Sequence, residues 1–533
     1  MIKNDTIVAL GNPILSSKVC MVLMIRGKTF WRALIAFHIL CLVSYSTLTA
    51  QENRTAVADT LVLSLDDMIR LAYDQSPDAI LAKHNFLVSY WEYRTYRAER
   101  LPSLNLSGTL GNYNRSMVSL QNSETGVVNT LNNNTLSNSL SLYVKQNLTF
   151  SGGVLSVTSG LKRLDQYSPY KSVTYTSQPV YVKIEQPING YNAFKWEKRI
   201  EPKRFEFAKR VYIEQMQEIT LNAALLFFDL LAAEAKVKAS RISIANNEQM
   251  YGIAEERFKL GSISKDALLQ LELKLLNDKL ALNDNMVSVQ MALMRVRTFL
   301  GLNERVELHL MPPEERFDLI LSVQDVLGKV FLNSSEALNN EVKLLQAEKA
   351  VAQAKANSGL SANISMQFGL NQTAHNFGGV YKSPLDQEVL GLTLSIPIVD
   401  WGLRRGKLKV AQSRVKVVES QVEQAVNTIK ESVVLTVMQF NAQGSQCNVS
   451  RKADEVGRSR YEITKERFVN GTVGVTELNT AQSEMDDAAI RYIGDLSKWW
   501  QYYYSIQKLT LFNYIKGSAI EADFSEIEGL TLK

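Results

Sequence analysis

The chain has 533 residues, 46% of them hydrophobic, with only 11 Pro and 27 Gly; this excludes a disordered or collagen-like polymer and leaves ample material for a core. Its formal net charge of +5 is mostly local. Lys3, Lys18, Arg26, Lys28 and Arg32 stand against Asp5 in residues 1–50, leaving 54 basic and 53 acidic side chains in residues 51–533. That balance leaves no basic footprint for nucleic acid.

Residues 1–50 read as a secretory signal peptide. Arg26, Lys28 and Arg32 precede the apolar run Ala33 to Val43, and Ala50 offers a cleavage point before Gln51. The alternative is an N-terminal membrane anchor, but the run is short of the roughly 20 residues that a span requires. Loss of the leader removes Cys20 and Cys41 and leaves Cys447 alone, so neither an intrachain disulfide nor a cysteine zinc cluster is expected. His84, His309 and His375 are scattered without metal-ligand spacing, and no P-loop, GxSxG or HExxH motif occurs. No catalytic residue, metal or cofactor is expected, and the chain does not read as an enzyme.

The remainder repeats itself. At an offset of 258, residues 64–111 align with 322–369 without a gap, so that Ser64 meets Ser322, Asp67 meets Asp325 and Gly111 meets Gly369. At an offset of 210, residues from about 182 to 300 align with about 392 to 510; Pro187-Ile188 meets Pro397-Ile398, and Gly261 meets Gly471. The two offsets leave about 48 extra residues inside the first copy. The organisation expected is a leader (1–50), a first copy (51–310) with an extra hairpin insertion at about 112–180, a second copy (311–515) and a C-terminal tail (516–533).

In chain order each copy predicts helix, strand, loop, strand, long helix, tight turn, helix. In the first copy Leu104, Leu106 and Leu110 alternate with Asn105, Ser107 and Thr109. Asn112 to Ser137, rich in Asn, Ser and Thr, reads as a solvated loop. A further strand-like pair follows, Leu140 to Phe150 and Val154 to Leu161, turned by Ser151-Gly152-Gly153. In the second copy Ala362, Ile364, Met366, Phe368 and Leu370 form one alternating run, and Leu390, Leu392, Leu394, Ile396 and Ile398 its return. Period-two alternation gives one apolar and one polar face, the pattern of a membrane barrel strand and equally of a half-buried soluble sheet.

The helices separate these two. Residues 199–259 and 403–469 predict helices of roughly 60 residues, about 90 Å long at 1.5 Å per residue. Each ends at a glycine-marked turn, Phe258 to Ser264 and Phe468 to Gly474, and is followed by a helix of about 36 residues in the first copy, 265–300. Such lengths imply a coiled-coil-like assembly, and one hairpin alone could not bury its apolar stripe. Residues 77–100 and 265–300 together match one long helix, which suggests that they stack end to end.

These features together resemble the TolC family of outer-membrane efflux and secretion channels. The resemblance covers about residues 60–515. It rests on Gln186-Pro187-Ile188 and Ile396-Pro397-Ile398-Val399-Asp400-Trp401-Gly402 at the strand-to-helix junctions, and on Glu256-Arg257-Phe258 with Gly261 and Glu466-Arg467-Phe468 with Gly471 at the tips. It implies an α+β membrane protein: a homotrimer whose four strands per chain share one twelve-stranded transmembrane β-barrel, continued by a long α-helical periplasmic barrel. It further implies outer-membrane lipid around the barrel, and a periplasmic adaptor protein and inner-membrane pump at the tips. The function expected is the passive outer-membrane channel of a tripartite efflux or type I secretion system. The alternative is a periplasmic coiled-coil adaptor or structural protein, which should carry one hairpin in a small β domain rather than two.

The extra pair departs from the four-strand plan. It is expected to extend an extracellular loop, since the matched pairs alone satisfy the repeat; the alternative is a wall of six strands per chain. Gly261, Ser262, Gly471 and Thr472 are the candidate adaptor contacts. Asp266 and Glu477 are the candidate periplasmic gate, an acidic ring once three copies assemble. The alternative for both acids is complementation of the helix N-terminus. The family pattern favours an acid six residues after the glycine; Glu477 meets it, whereas Ala267 holds that slot in the first copy. Tyr191 and Trp401, equivalent in the repeat, are candidate membrane-interface anchors, or else packing residues at a corner. Trp499, Trp500, Tyr502, Tyr503 and Tyr504 read as helix packing near the barrel end.

Overall fold

The computed structural model describes residues 60–121, 126–303, 307–313 and 319–529. The leader and its cleavage point, with His38, Cys20 and Cys41, lie outside the described residues. The architecture below belongs to one compact unit, Leu61–Glu304 with Leu308–Lys533; a second unit, Met1–Thr60 with Arg305–Glu307, falls almost wholly outside the described residues.

Helices α1 (Leu65–Gln75) and α2 (Pro77–Ala98) lead into four strands, β1 (Ser103–Gln121), β2 (Val128–Leu148), β3 (Gly153–Ser168) and β4 (Ser172–Pro187). The first long hairpin follows, α3 (Ala193–Lys259) and α4 (Lys265–Leu300). The second copy has α5 (Val323–Asn333), α6 (Ser335–Ala356), β5 (Ser361–Ala374), β6 (Leu385–Ser395), α7 (Leu403–Val469) and α8 (Val475–Thr510). Equivalent helices have equal lengths: 11 residues for α1 and α5, 22 for α2 and α6, 67 for α3 and α7, 36 for α4 and α8. The helix α3 starts earlier than expected, at Ala193, where the Asn192 side chain accepts from the Lys195 N–H at 3.2 Å, and it runs on through Pro202.

The six strands form one antiparallel sheet in chain order, β1-β2-β3-β4-β5-β6. This corrects two expectations. The extra pair is not a loop extension: β2 and β3 stand in the sheet between β1 and β4, giving the sheet six strands per chain in place of four. Nor is Asn112–Ser137 a loop, because β1 continues to Gln121 and β2 begins at Val128, with Tyr113 opposite Leu136 and Val118 opposite Leu131. The polar composition had hidden strands that a backbone ladder holds without an apolar face.

Cross-strand register gives the sheet two chemically distinct faces. Leu104 stands opposite Val144, Val144 opposite Val157, Val157 opposite Val182 and Val182 opposite Phe368. A neighbouring row runs Leu155, Ile184, Met366, Leu390. On the other face a row runs Ser103, Lys145, Ser156, Lys183, Gln367. The extra pair therefore carries the same alternation, in phase with the strands on both sides of it. The apolar face is the more exposed one: Leu142 is 45% and Leu390 76% exposed, while the neighbouring Ser141, Tyr143 and Gln367 are partly covered. A sheet with leucines outside and serines inside inverts the order of a water-soluble protein.

Helices pack side by side beneath the sheet. On the far side from the strands the order is α4, α3, α8, α7; next to the strands it is α2, α3, α6, α7. The expected end-to-end stacking is present in both copies. Gln75 Nε2 donates to the Leu300 carbonyl at 3.2 Å, and its repeat equivalent Asn333 Nδ2 donates to the Thr510 carbonyl at 3.0 Å. These amides satisfy carbonyls that a helix end leaves open. The short helix α9 (Phe524–Gly529) anchors the tail, with the Phe524 ring 4.9 Å from that of Phe86. Trp499, Trp500, Tyr503 and Tyr504 are buried in helix packing as expected, but not near the barrel end. Trp499 meets Phe440, which lies 37 residues, or about 55 Å, along α7 from its first residue.

Candidate functional site

The tips of the two hairpins share one geometry because they share one sequence pattern. In the first, the Gly261 N–H donates to Phe258 O (2.9 Å) and the Ser262 N–H to Arg257 O (2.8 Å); in the second, Gly471 donates to Phe468 O (2.9 Å) and Thr472 to Arg467 O (2.9 Å). This pattern needs a left-handed residue after the helix end, and Gly261 and Gly471 supply it at φ of +73° and +77°. All four candidate contact residues, Gly261, Ser262, Gly471 and Thr472, are exposed. Behind them Met250, Ala254, Leu271, Tyr461, Phe468, Leu478 and Ala481 join all four helices in one apolar cluster.

Glu477 and Asp266 both sit in the first turn of a returning helix. The Glu477 carboxylate accepts the Gly474 N–H at 3.0 Å, the one half of a capping box that a glycine N-cap allows at the start of α8. In α4 the cap is Ser264, whose hydroxyl accepts the Ala267 N–H at 3.1 Å, while Asp266 accepts from Gln270 Nε2 at 2.9 Å. The two acids thus occupy successive helical positions, about 100° apart around the helix axis, and both are exposed.

Sequence reasoning missed the polar links between the two hairpins. Arg257 donates from Nη1 to Phe468 O (3.1 Å) and from Nη2 to Val469 O (2.6 Å). Lys465 Nζ reaches Asn246 Oδ1 at 3.0 Å, and Gln482 donates to Ser243. Ser243 and Asn247 in turn donate to the buried Asp278 carboxylate at 2.7 and 2.5 Å, which Lys274 also pairs at 2.8 Å. Nearby, burial pushes the Asp486 carboxyl up to about 6.

Both lateral edges of the chain expose apolar stripes with a seven-residue period. On α4 these are Leu273, Leu280, Val287 and Met294; on α7 they are Leu403, Val410 and Val417, then Val449, Val456 and Ile463. Leu280 is 63% exposed. The stripes were legible as heptads in the sequence, though not their position on the outermost helices.

At the strand-to-helix junction Asp400 caps α7 by accepting the Gly402 and Arg404 N–H groups at 3.0 and 3.2 Å. That turn throws Trp401 outward, 96% exposed, beside exposed Ile398 and Val399. Tyr191 at the equivalent junction is only partly exposed, and its hydroxyl is buried without a hydrogen-bond partner.

Comparison with known proteins defines the class. Residues 333–510 match the outer membrane efflux protein family. No curated protein matches the sequence. Solved structures share the fold across nearly the whole chain. A membrane protein from Pseudomonas aeruginosa is 13% identical, with 86% of this chain and 91% of that chain covered at a TM-score of 0.62. The CmeC outer membrane channel of Campylobacter jejuni is 15% identical (88% and 89% covered, TM-score 0.62), and the outer membrane protein VceC of Vibrio cholerae 14% (86% and 97%, TM-score 0.59). The chain has the TolC-type fold, and its second half carries the outer membrane efflux protein signature. The proteins that share this fold and signature are outer membrane channels.

Proposed function

We propose that three copies of this chain form the outer-membrane channel of a tripartite efflux or type I secretion system, passively conducting substrates from an inner-membrane pump to the exterior. The observation that carries this reading is the coincidence of open edges. The sheet is open at β1 and β6, and the helical layer below is open at α2 and α4 on one side and at α7 on the other. An open edge cannot persist in hydrocarbon, so the sheet must close. Rotation about one axis brings β6 and α7 of one copy against β1, α2 and α4 of the next, and mates the two heptad stripes. The polar sheet face then lines the lumen, and the tips mark the periplasmic mouth, where an adaptor protein docks on the exposed turns. Asp266 and Glu477 ring that mouth, and Trp401 anchors the wall at the lipid surface, with Tyr191 at its equivalent junction.

An adaptor reading would leave the lipid-facing row of leucines without a purpose. Membrane fractionation tests the proposal: a heat-modifiable trimer extracted from outer membranes by detergent supports it, and a soluble periplasmic monomer would overturn it. Loss of export when the chain is deleted from a strain that keeps its pump separates a channel from a purely structural protein.

A further inference from the structure

The extra hairpin changes the size of the outlet. Resting on the three-fold channel reading above, we infer that the wall is an eighteen-stranded barrel, closed by pairing the β6 edge of each copy with the β1 edge of a second copy of this chain.

Three observations converge. First, β2 and β3 are paired along nearly their whole lengths with β1 and β4, so no continuous wall of fewer strands can be drawn through this chain. Second, the pair adds two strands rather than one. An antiparallel meander with an even strand count starts and ends in opposite directions, so rotation of a copy sets its β1 antiparallel to the β6 of its neighbour; an odd count would set the two edges parallel. Third, the facing pattern is continuous to both edges. Leu104 and Leu106 on β1, Leu142 and Val144 on β2, and Leu390, Leu392 and Leu394 on β6 lie on one side, so closure makes an unbroken apolar belt.

The dimensions agree with the layer below. Eighteen strands spaced about 4.8 Å apart and tilted by about 40° trace a circumference near 113 Å, or a diameter of about 36 Å. Twelve strands at the same tilt would give about 24 Å. The helical tunnel of three copies has twelve helices in its circumference, which at interaxial distances of about 9–10 Å gives roughly 108–120 Å. An eighteen-stranded wall therefore continues the tunnel without a step. The passage does not narrow where it crosses the membrane, and the size of what leaves is set by the tips and by the lumen side chains, Lys145 and Lys183 among them.

Electron cryomicroscopy of the full chain, extracted from outer membranes in detergent, tests this by counting strands. Eighteen strands about a three-fold axis are expected. Twelve strands with the β2–β3 hairpin projecting from the wall would overturn the inference and leave the channel reading standing. The absence of a closed three-fold barrel would overturn both. A second measurement needs no image. Single-cysteine variants Leu142→Cys and Val157→Cys, carrying a fluorophore in reconstituted vesicles, should be quenched several-fold more by lipids with a mid-chain nitroxide than Ser141→Cys and Ser156→Cys. Equal quenching of all four would place the hairpin outside the lipid belt and overturn the inference.

Discussion

Arg257 of the first hairpin holds the end of the second: its Nη2 donates to the Val469 carbonyl at 2.6 Å, and its guanidinium stacks over Phe468, 5.6 Å from the ring centre. Both acceptors, Phe468 O and Val469 O, belong to the last turn of α7, where carbonyls lack intrahelical partners and the helix dipole is negative. Sequence separation is more than two hundred residues, so this bond forms only when the tips of the two hairpins stand side by side.

Arg257→Ala should loosen the tips from one another. Each charge-assisted bond is worth about 1.5–3 kcal/mol when sheltered and less at this partly exposed site. The expected readout is higher single-channel conductance in planar bilayers, with trimers still formed. Arg257→Lys should be intermediate, because an ammonium lacks the fork that spans two carbonyls. Arg467, its repeat equivalent, is exposed in the single chain and in the trimer would make the same reach to a neighbouring first hairpin. Conductance unchanged in both Arg257→Ala and Arg467→Ala would mean that these contacts do not hold the mouth closed.

Gly261→Val and Gly471→Val should abolish export while assembly persists. A β-branched residue at φ near +75° is strained by about 1–2 kcal/mol, which a turn of this kind can absorb without unfolding the hairpin. The two sites differ in surroundings. A side chain at Gly261 meets open space, whereas one at Gly471 approaches Arg257 Nη2 at 3.3 Å. Gly471→Val should therefore also raise conductance, as Arg257→Ala does, and Gly261→Val should not. Normal export from both variants would remove the tips from the adaptor contact.

Much of this architecture was readable from spacing, because long helices leave a long record. Gly261 and Gly471 follow the ends of two 67-residue helices, and no proline interrupts either helix after Pro202. The extra hairpin could be found as a strand pair but not placed, since repeat matching favours what is common to both copies. Its phase was the missing clue: Leu140 and Leu142 fall on the same parity as Val144, which faces Leu104. The arms of β1 and β2 beyond it were not legible, because Asn, Ser and Thr fall at both parities there and leave no alternation to read. In the sequence Arg257 stands out only as the middle of Glu256-Arg257-Phe258. Its acceptors are backbone carbonyls, which leave no mark in a sequence.

The facing of the wall predicts opposite outcomes for neighbouring residues. Ile364→Arg and Leu394→Arg place a charge in the apolar belt and should cost about 2–4 kcal/mol near the bilayer midplane. Gln367→Arg, in the polar row with Lys183, should be tolerated. Trimer yield in outer-membrane extracts reads the difference. Equal insertion of all three variants would reverse the assigned faces.

Asp486 offers a pH test of the packed helices outside the membrane. Its carboxyl is held near 6 against an ordinary 3.8, chiefly by burial, with Asp278 and Asp487 adding to the rise and Lys274 opposing it. The folded chain therefore binds this proton more tightly than the unfolded one between those two values. Stability falls as pH rises through that window, and the cost is complete above it. Asp486→Asn should raise stability at pH 7.5 by about 1 kcal/mol, allowing for solvent that still reaches the group, and by almost nothing at pH 4. Thermal unfolding in detergent at the two pH values measures it. A gain of equal size at both would tie the effect to packing and not to charge.

The acidic mouth is the sharpest test of the channel reading, because Glu477 already has a local task. Its carboxylate caps α8 through the Gly474 N–H, so Glu477→Gln, which keeps an acceptor oxygen, should preserve the helix start while removing the charge. Asp266 holds no backbone N–H and Ser264 caps its helix, so Asp266→Asn should be neutral for folding. In the proposed trimer the two positions would bring up to six carboxylates around one mouth, where cations would be concentrated and anions repelled. The double variant should lose cation selectivity and block by divalent or trivalent ions in planar bilayers. The loss should be largest at low salt, because at 0.1 M the field is screened beyond about 10 Å. Glu477→Gln alone should account for most of it, since Asp266 lies one helical position, about 100°, round from the corresponding site. If selectivity at low salt is the same in the double variant as in the parent, the acids serve only the helix ends.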